Sequence, residues 1–399
     1  MVKLLITPFV LSGILVLTPF GVLSLDIFLI PLFIFLYLTM SGWRLPGQGI
    51  RSLLAVLGIS FILVLCQVLT VDIFLIGNYS VAYFRFFIIL ILAHVLSVIM
   101  LADAYGAIIM VNRTLVVSSL FVIYDLFFPM FIEFGEYTYF SFSSFSRPRG
   151  LHAEPSFYVT FCVSLIIMRG ILTVRLPPDH KVKMVKSDMI TLLGFLVSLS
   201  LTGAIAAMFI LQSHLRISGR KNAILYGFLL LGLSLALITL NFEYFFGRLG
   251  NIGADGSSVT RTIGGLLTGY YALINSPIFG FGLGAEQFQA ASESAGTYFQ
   301  FMPFALQSCN MNGTCSYEMV LSNNMFITSS YFSFGILAPV LIMITCYNLA
   351  KYVSLVSAGM LLFLLASRGD IYFLYFYLIF FLILRVSDGR KTRSVPISI

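Results

Sequence analysis

The chain has 399 residues, of which 59% are hydrophobic and only 10% charged, with a mean hydropathy of +1.00 and a formal net charge of +7. No stretch has the composition of a separate soluble domain, and runs such as Leu192–Leu201 (LLGFLVSLSL) lack the every-second-residue alternation of a β-barrel strand. Apolar runs of about 20 residues, enough to cross a bilayer core, recur from end to end, and they predict one all-α polytopic membrane domain over 1–399.

The start, Met1-Val2-Lys3 followed by apolar residues, has no small-residue cleavage site and reads as an uncleaved first helix over Leu4–Thr18. The turn Thr18–Gly21 leads to a second helix, Ser24–Met40. A third is expected over Ser52–Thr70 and a fourth over Ser80–Met100, with Arg85 just inside it. A fifth follows Arg113 and ends near Pro129; the loop 131–153 comes next, then a sixth helix over Glu154–Val174.

The stretch from Arg169 to Lys186 is the most basic, and a second basic patch follows at Arg216, Arg220 and Lys221. The positive-inside rule puts both on the cytoplasmic side. The segment between them, Ser187–Leu215, must then cross an even number of times, yet it is too short for two full helices. Two short helices turning at Ser200-Leu201-Thr202-Gly203 meet both requirements. A ninth helix spans Ala223–Asn241, and the long loop 242–323 follows. The tenth helix runs over Met325–Ala350 and the eleventh ends at Ser367, before the tight turn Arg368-Gly369-Asp370. The twelfth ends at Arg385, ahead of a basic tail.

This makes about twelve crossings with both termini inside and the loops 131–153 and 242–323 outside. The inner side then holds 17 of the 23 basic residues, including all seven lysines. The outer six, Arg85, Arg147, Arg149, Arg248, Arg261 and Arg368, are all arginine. Topology accounts for the net charge without nucleic acid. It does not account for arginine over lysine, which a guanidinium fork gripping phosphate oxygens would.

Four segments could carry chemistry. In Arg147–Ser156 (RPRGLHAEPS), Arg147 and Arg149 form a pair suited to phosphate or carboxylate. Glu154 reads either as a helix cap ahead of Pro155 or as a carboxylate that orients an arginine or takes a proton. His152 is either a base or a surface residue. At the expected helix break, the hydroxyls of Ser200 and Thr202 suit either an anion or a packing turn. Residues 261–284, RTIGGLLTGYYALINSPIFGFGLG, read as Arg261 on a partly apolar re-entrant helix, then a glycine-rich turn. GFGLG does not match the dinucleotide fingerprint, because position 287 is glutamine and no strand precedes it. Cys309 and Cys315 lie in a polar loop (CNMNGTC) and can close a small structural disulfide in an oxidising compartment.

The order of these pieces is R-x-R-G-x-x-x-E-P-S-F-Y, then S-L-T-G, then N-S-P-x-F-G-F-G-L-G, then N-N ahead of G-I-L. Over roughly residues 140 to 340 it resembles the O-antigen polymerase and O-antigen ligase superfamily. The resemblance implies a glycosyltransferase of the C type in the bacterial inner membrane, with its active site facing the periplasm. Its donor and acceptor would be glycans on undecaprenyl diphosphate. It would need neither a metal nor another cofactor, and no nucleic acid. It would work beside membrane lipids, a chain-length regulator and a flippase.

Mapped onto this chain, the resemblance gives Glu154, Arg149 and Arg261 catalytic roles. Arg85, Arg147, His152, Ser200, Thr202, Asn323, Asn324 and Arg368 would bind substrate. Ligases carry a histidine followed by a polar residue, then a nine-residue gap and a glycine; counted back from Gly335, that histidine position holds Asn324, and Met325 follows it. Asparagine is no base near neutral pH, which favours the polymerase branch over the ligase. A lipid-linked oligosaccharide flippase is the rival from another class, and an export scaffold a third.

Overall fold

The computed structural model describes residues 5–11, 15–18, 21–24, 26–40, 50–70, 76–127, 155–176, 185–198, 200–218, 264–283, 308–309, 315–316, 325–367 and 374–391. The architecture is helical, with two short two-stranded ribbons. In chain order the elements begin with α1 (Ile6–Val10), β1 (Leu15–Thr18), β2 (Gly21–Ser24), α2 (Asp26–Met40) and α3 (Ile50–Thr70). Next come α4 (Ile76–Ala102), α5 (Ala104–Phe127), α6 (Pro155–Thr173), α7 (Val185–Val197) and α8 (Leu201–Ser218). The chain ends with α9 (Gly265–Asn275), β3 (Ser308–Cys309), β4 (Cys315–Ser316), α10 (Phe326–Phe334), α11 (Leu337–Tyr352), α12 (Leu355–Ser367) and α13 (Leu374–Lys391).

Three helical stretches, 82–102, 104–125 and 156–173, are long and apolar enough to cross a membrane. Several shorter apolar helices surround them, α11 and α12 among these. Their outward faces carry large apolar residues, such as Phe61, Ile62 and Leu69 on α3 and Met343 and Tyr347 on α11. A water-soluble fold of this size would not leave such a surface uncovered.

α6 and α13 form the middle of the bundle. α6 packs on α5, α8, α12 and α13, while α13 also packs on α4 and α11. Every residue of α13 from Leu374 to Ile383 is buried. α1 is tied in through Phe9, whose ring meets Tyr375 edge-on at 5.6 Å.

Four elements depart from the sequence expectation. The first expected helix is instead the five-residue α1 followed by a hairpin, with Leu15 opposite Ser24 and Thr18 opposite Gly21. Five helical residues rise only about 7.5 Å and cannot cross a bilayer; the turn at Thr18–Gly21 stands, but it joins strands. The loop expected before Arg113 is also replaced by helix. A single residue, Asp103, separates α4 from α5, and Asp103 Oδ1 accepts the Gly106 N–H at 2.9 Å as an N-terminal cap. Arg113 therefore lies on the exposed face of α5.

Arg169 is the third departure. It is not part of a basic loop but a buried residue of α6, paired with Asp188 of α7 at 2.6 Å. Its Nη1 donates to Asn112 Oδ1 of α5 at 2.9 Å and to Ser187 Oγ at 3.3 Å. This cluster joins three helices through one guanidinium. The fourth departure is the expected helix Met325–Ala350, which breaks at Gly335 (φ 56°, ψ −140°) into α10 and α11. Pro339 then sits in the first turn of α11, where no intrahelical N–H is needed.

The expected short pair is present. α7 and α8 are separated by residues 198–200, just ahead of the predicted turn. At their junction Gly203 passes close to α7, and a Cβ there would lie 2.8 Å from the Phe195 carbonyl. α6 begins at Pro155, as the Glu154-Pro155 helix start predicted. The ninth expected helix, over Ala223–Asn241, lies outside the described residues.

Breaking one side of the Arg169–Asp188 pair strands a buried charge, at a cost of about 3–5 kcal/mol. Arg169→Met and Asp188→Leu are each expected to lower the unfolding temperature of the detergent-solubilised protein sharply. The double variant recovers much of the loss, and the thermal melt of all three measures the coupling. In the β3–β4 ribbon, Cys309 is the register partner of Cys315. Paired strand residues have Cα atoms about 4.5–5.5 Å apart, inside the range a disulfide spans. Peptide mapping without reduction should recover the two cysteines as one linked fragment.

Candidate functional site

Two fragments far apart in sequence lock together: the turn 276–283 after α9, and the break 335–336 between α10 and α11. Phe281 N–H donates to Phe332 O at 2.7 Å and Gly282 N–H to Ser333 O at 3.1 Å. In return, Ile336 N–H donates to Ile278 O at 3.2 Å. These contacts require backbone against backbone. Gly280 (φ 71°) and Gly335 (φ 56°) both take left-handed conformations. A Cβ on Gly280 would lie 2.6 Å from Phe332 O, and one on Gly335 would run into Ile278 O. Only glycine fits at either point.

A side-chain clamp completes the joint. Gln67 of α3 is buried, and its Nε2 donates to Phe279 O at 2.7 Å and to Ser333 O at 2.6 Å. Tyr83 of α4 donates its hydroxyl to Gln67 Oε1 and accepts the Leu283 N–H at 3.3 Å. Neither residue was picked out from the sequence. A lone glutamine within an apolar helix was the available signal, because a buried amide needs partners.

α9 and α10 run parallel and in close contact. Gly265 meets Met325, Gly269 meets Thr328, and Ala272 clusters with Phe332. The small residues at Gly265 and Gly269 let two backbones approach, as in GxxxG helix pairs. Phe281 stacks between Tyr271 (5.5 Å) and Phe332 (4.8 Å). The first described turns of α9 and α10 thus lie side by side. On α10, Ser329 is buried and its hydroxyl has no hydrogen-bond partner among the described residues. Beside α10, an apolar cleft of about 80 Å³ opens between α3, α4, α10, α11 and α13, walled by Phe86, Phe326, Phe334, Leu341 and Tyr377.

Of the residues singled out from the sequence, Arg147, Arg149, His152, Glu154, Arg261, Asn323, Asn324 and Arg368 lie outside the described residues. Three of them lie just ahead of the two paired helices in sequence: Arg261 is four residues before Gly265, and Asn323 and Asn324 directly precede Met325. Arg85 is on α4, half-buried, two residues past Tyr83. At about 100° per residue it projects from a different face than Tyr83, so Tyr83 and not Arg85 reaches the joint. Ser200 and Thr202 sit where α8 begins, on a helix that packs against α6, α7 and α12. Ser200 is buried, and its carbonyl accepts the Ala204 N–H at 3.0 Å. With Gly203 pressed on α7, this geometry supports the packing-turn reading of the S-L-T-G segment.

Gln67→Leu leaves Phe279 O without its donor and Ser333 O with only the Gly282 N–H, and an unsatisfied buried group costs about 1–3 kcal/mol. Gln67→Leu and Gly335→Ala are expected to lower thermal stability and to expose the 276–283 turn to proteolysis. Gln67→Glu retains an acceptor for Tyr83 but loses the donor, so it should behave like leucine; wild-type resistance in all three would remove the clamp. No protein-family model, curated protein or solved structure matches this chain.

Proposed function

We propose that this chain is a membrane-embedded glycosyltransferase of the C type, with about twelve crossings. In this reading it polymerises oligosaccharide repeat units carried on undecaprenyl diphosphate, at the periplasmic face of the bacterial inner membrane. The observation that carries the proposal is the joint. The N-S-P-x-F-G-F-G-L-G and G-I-L fragments, separate in sequence, meet through glycines that admit no other residue. Arg261, Asn323 and Asn324 lie just upstream, in sequence, of the two helices that end at this joint.

The chemistry is a displacement at the sugar carbon that bears the diphosphate. An acceptor hydroxyl forms the new C–O bond, the bond to the diphosphate oxygen breaks, and the hydroxyl proton passes to Glu154. Negative charge grows on the leaving diphosphate and requires preorganised positive groups. Arg147, Arg149 and Arg261 supply them, supported by the dipole at the start of α10. The apolar cleft beside α10 offers walls for the lipid part of the substrate. A chain-length regulator and a flippase are the partners such an enzyme would need. Asn324 in place of a ligase histidine favours polymerisation over transfer to lipid A-core.

A second reading is a lipid-linked oligosaccharide flippase. It draws on the two breaks inside apolar helices, at 198–200 and at Gly335, since broken helices are a transporter feature.

Arg147→Lys, Arg149→Lys and Arg261→Lys keep charge but lose the bidentate fork. Each is expected to reduce chain growth from purified lipid-linked repeat units by about 10²–10³-fold, the scale for one lost donor to a developing charge, while expression and membrane insertion stay normal. Polymer of full length from all three lysine variants would make these arginines structural. Movement of labelled lipid-linked units across vesicles without chain growth would establish the flippase instead.

A further inference from the structure

The segment 264–283 belongs by sequence to a long loop between apolar helices, yet it contains no charged residue. Its helix α9 faces outward mainly through apolar side chains; the exposed Asn275 at its end donates its Nδ2 to Tyr271 O at 2.9 Å. Leu266, Tyr270, Leu273 and Ile274 of α9, with Ile278 of the turn after it, form an outer stripe, and each is between 46 and 61% exposed. The inner stripe, Gly265, Thr268 and Ala272, is buried against α10. The stripe ends at Ile278, whose carbonyl is bonded to the N–H of the equally exposed Ile336.

The non-helical turn that follows shows a second property. Every carbonyl from Pro277 to Gly280 has a donor within the protein. Pro277 O accepts from Tyr331 Oη at 3.4 Å, and Ile278 O from Ile336 N–H at 3.2 Å. Phe279 O accepts from Gln67 Nε2 at 2.7 Å, and Gly280 O from Ser276 Oγ at 2.8 Å. A turn in water does not need this, because solvent satisfies it. A turn in hydrocarbon does, because each bare polar group there costs several kcal/mol.

We infer that residues 264–283 form a re-entrant element buried in the bilayer, with the stripe from Leu266 to Ile278 in contact with lipid acyl chains. The eleven residues of α9 rise about 16 Å. With its N-terminus at the interface, the element puts the glycine turn near the middle of a core about 30 Å thick. The apolar partner is the acyl-chain region of the membrane itself, met at mid-depth and not at the headgroups. This placement is independent of the reaction proposed above, and loss of polymer formation leaves it standing.

The chain has one tryptophan, Trp43. In a Trp43→Phe background, Leu266→Trp and Ile278→Trp put a single fluorophore at either end of the stripe, at exposed positions that tolerate the change. The full-length protein is reconstituted in phosphatidylcholine vesicles brominated near the chain end or near the headgroup. Ile278→Trp is expected to be quenched most by the deep bromines and Leu266→Trp most by the shallow ones, with iodide ineffective at Ile278→Trp. Efficient iodide quenching of both would place the stripe in water. Silence to iodide and to both brominated lipids would mean that protein covers it, such as a second copy of the chain. Either result overturns the inference. Elution of each variant at the wild-type position on size exclusion establishes that it has folded.

Discussion

Irregular backbone inside an apolar body must have its polar groups satisfied from within. The joint between the 276–283 turn and the Gly335 break meets that constraint, and the surrounding helices are arranged around it. Three backbone hydrogen bonds cross it directly, and Gln67 and Tyr83 close what remains. α3 and α4 each lend one polar side chain to this task. α9 has no other firm anchor among the described residues than α10, so its direction follows from the joint.

Buried charge is handled by the same logic on the other side of the bundle. Arg169 would be prohibitively costly inside α6 without Asp188, Asn112 and Ser187 around it. Pairing turns that residue from a liability into a contact that orders α5, α6 and α7. Tyr158 shows the small-scale version. Its hydroxyl donates to Ser119 Oγ at 2.7 Å and fills the space that Gly194 leaves open. Polar contacts here choose which helix faces meet, while apolar burial along α6 and α13 holds them together.

Function in this reading arises from convergence. Neither GFGLG nor G-I-L is specific by itself, and GFGLG fails the dinucleotide pattern. Joined, they hold two helices parallel, their first described turns side by side, with an apolar cleft beside α10. A polar substrate head at the helix starts and an apolar tail in the cleft would suit a lipid-linked glycan. A rigid joint of this kind offers preorganisation, the property that stabilising a leaving diphosphate demands.

The apolar runs by themselves determined the helical membrane class, most helix positions and the short pair around 198–200, because burying backbone in hydrocarbon leaves few alternatives to a helix. The Glu154-Pro155 signal likewise marked the start of α6, whereas the β3–β4 ribbon that makes Cys309 and Cys315 register partners was not legible in their spacing. Other features depended on contacts that no local pattern encodes. Arg169 looked like a topological charge until Asp188, 19 residues later, was seen beside it. Gly335 looked like one more residue of a long helix; its break is enforced by Ile278, 57 residues earlier. The first helix shortened because a Pro-Phe-Gly turn could pair its flanks as strands, which hydropathy alone does not distinguish. Local periodicity reports what a segment can form; only the tertiary structure decides which partner makes a glycine, a glutamine or an arginine necessary.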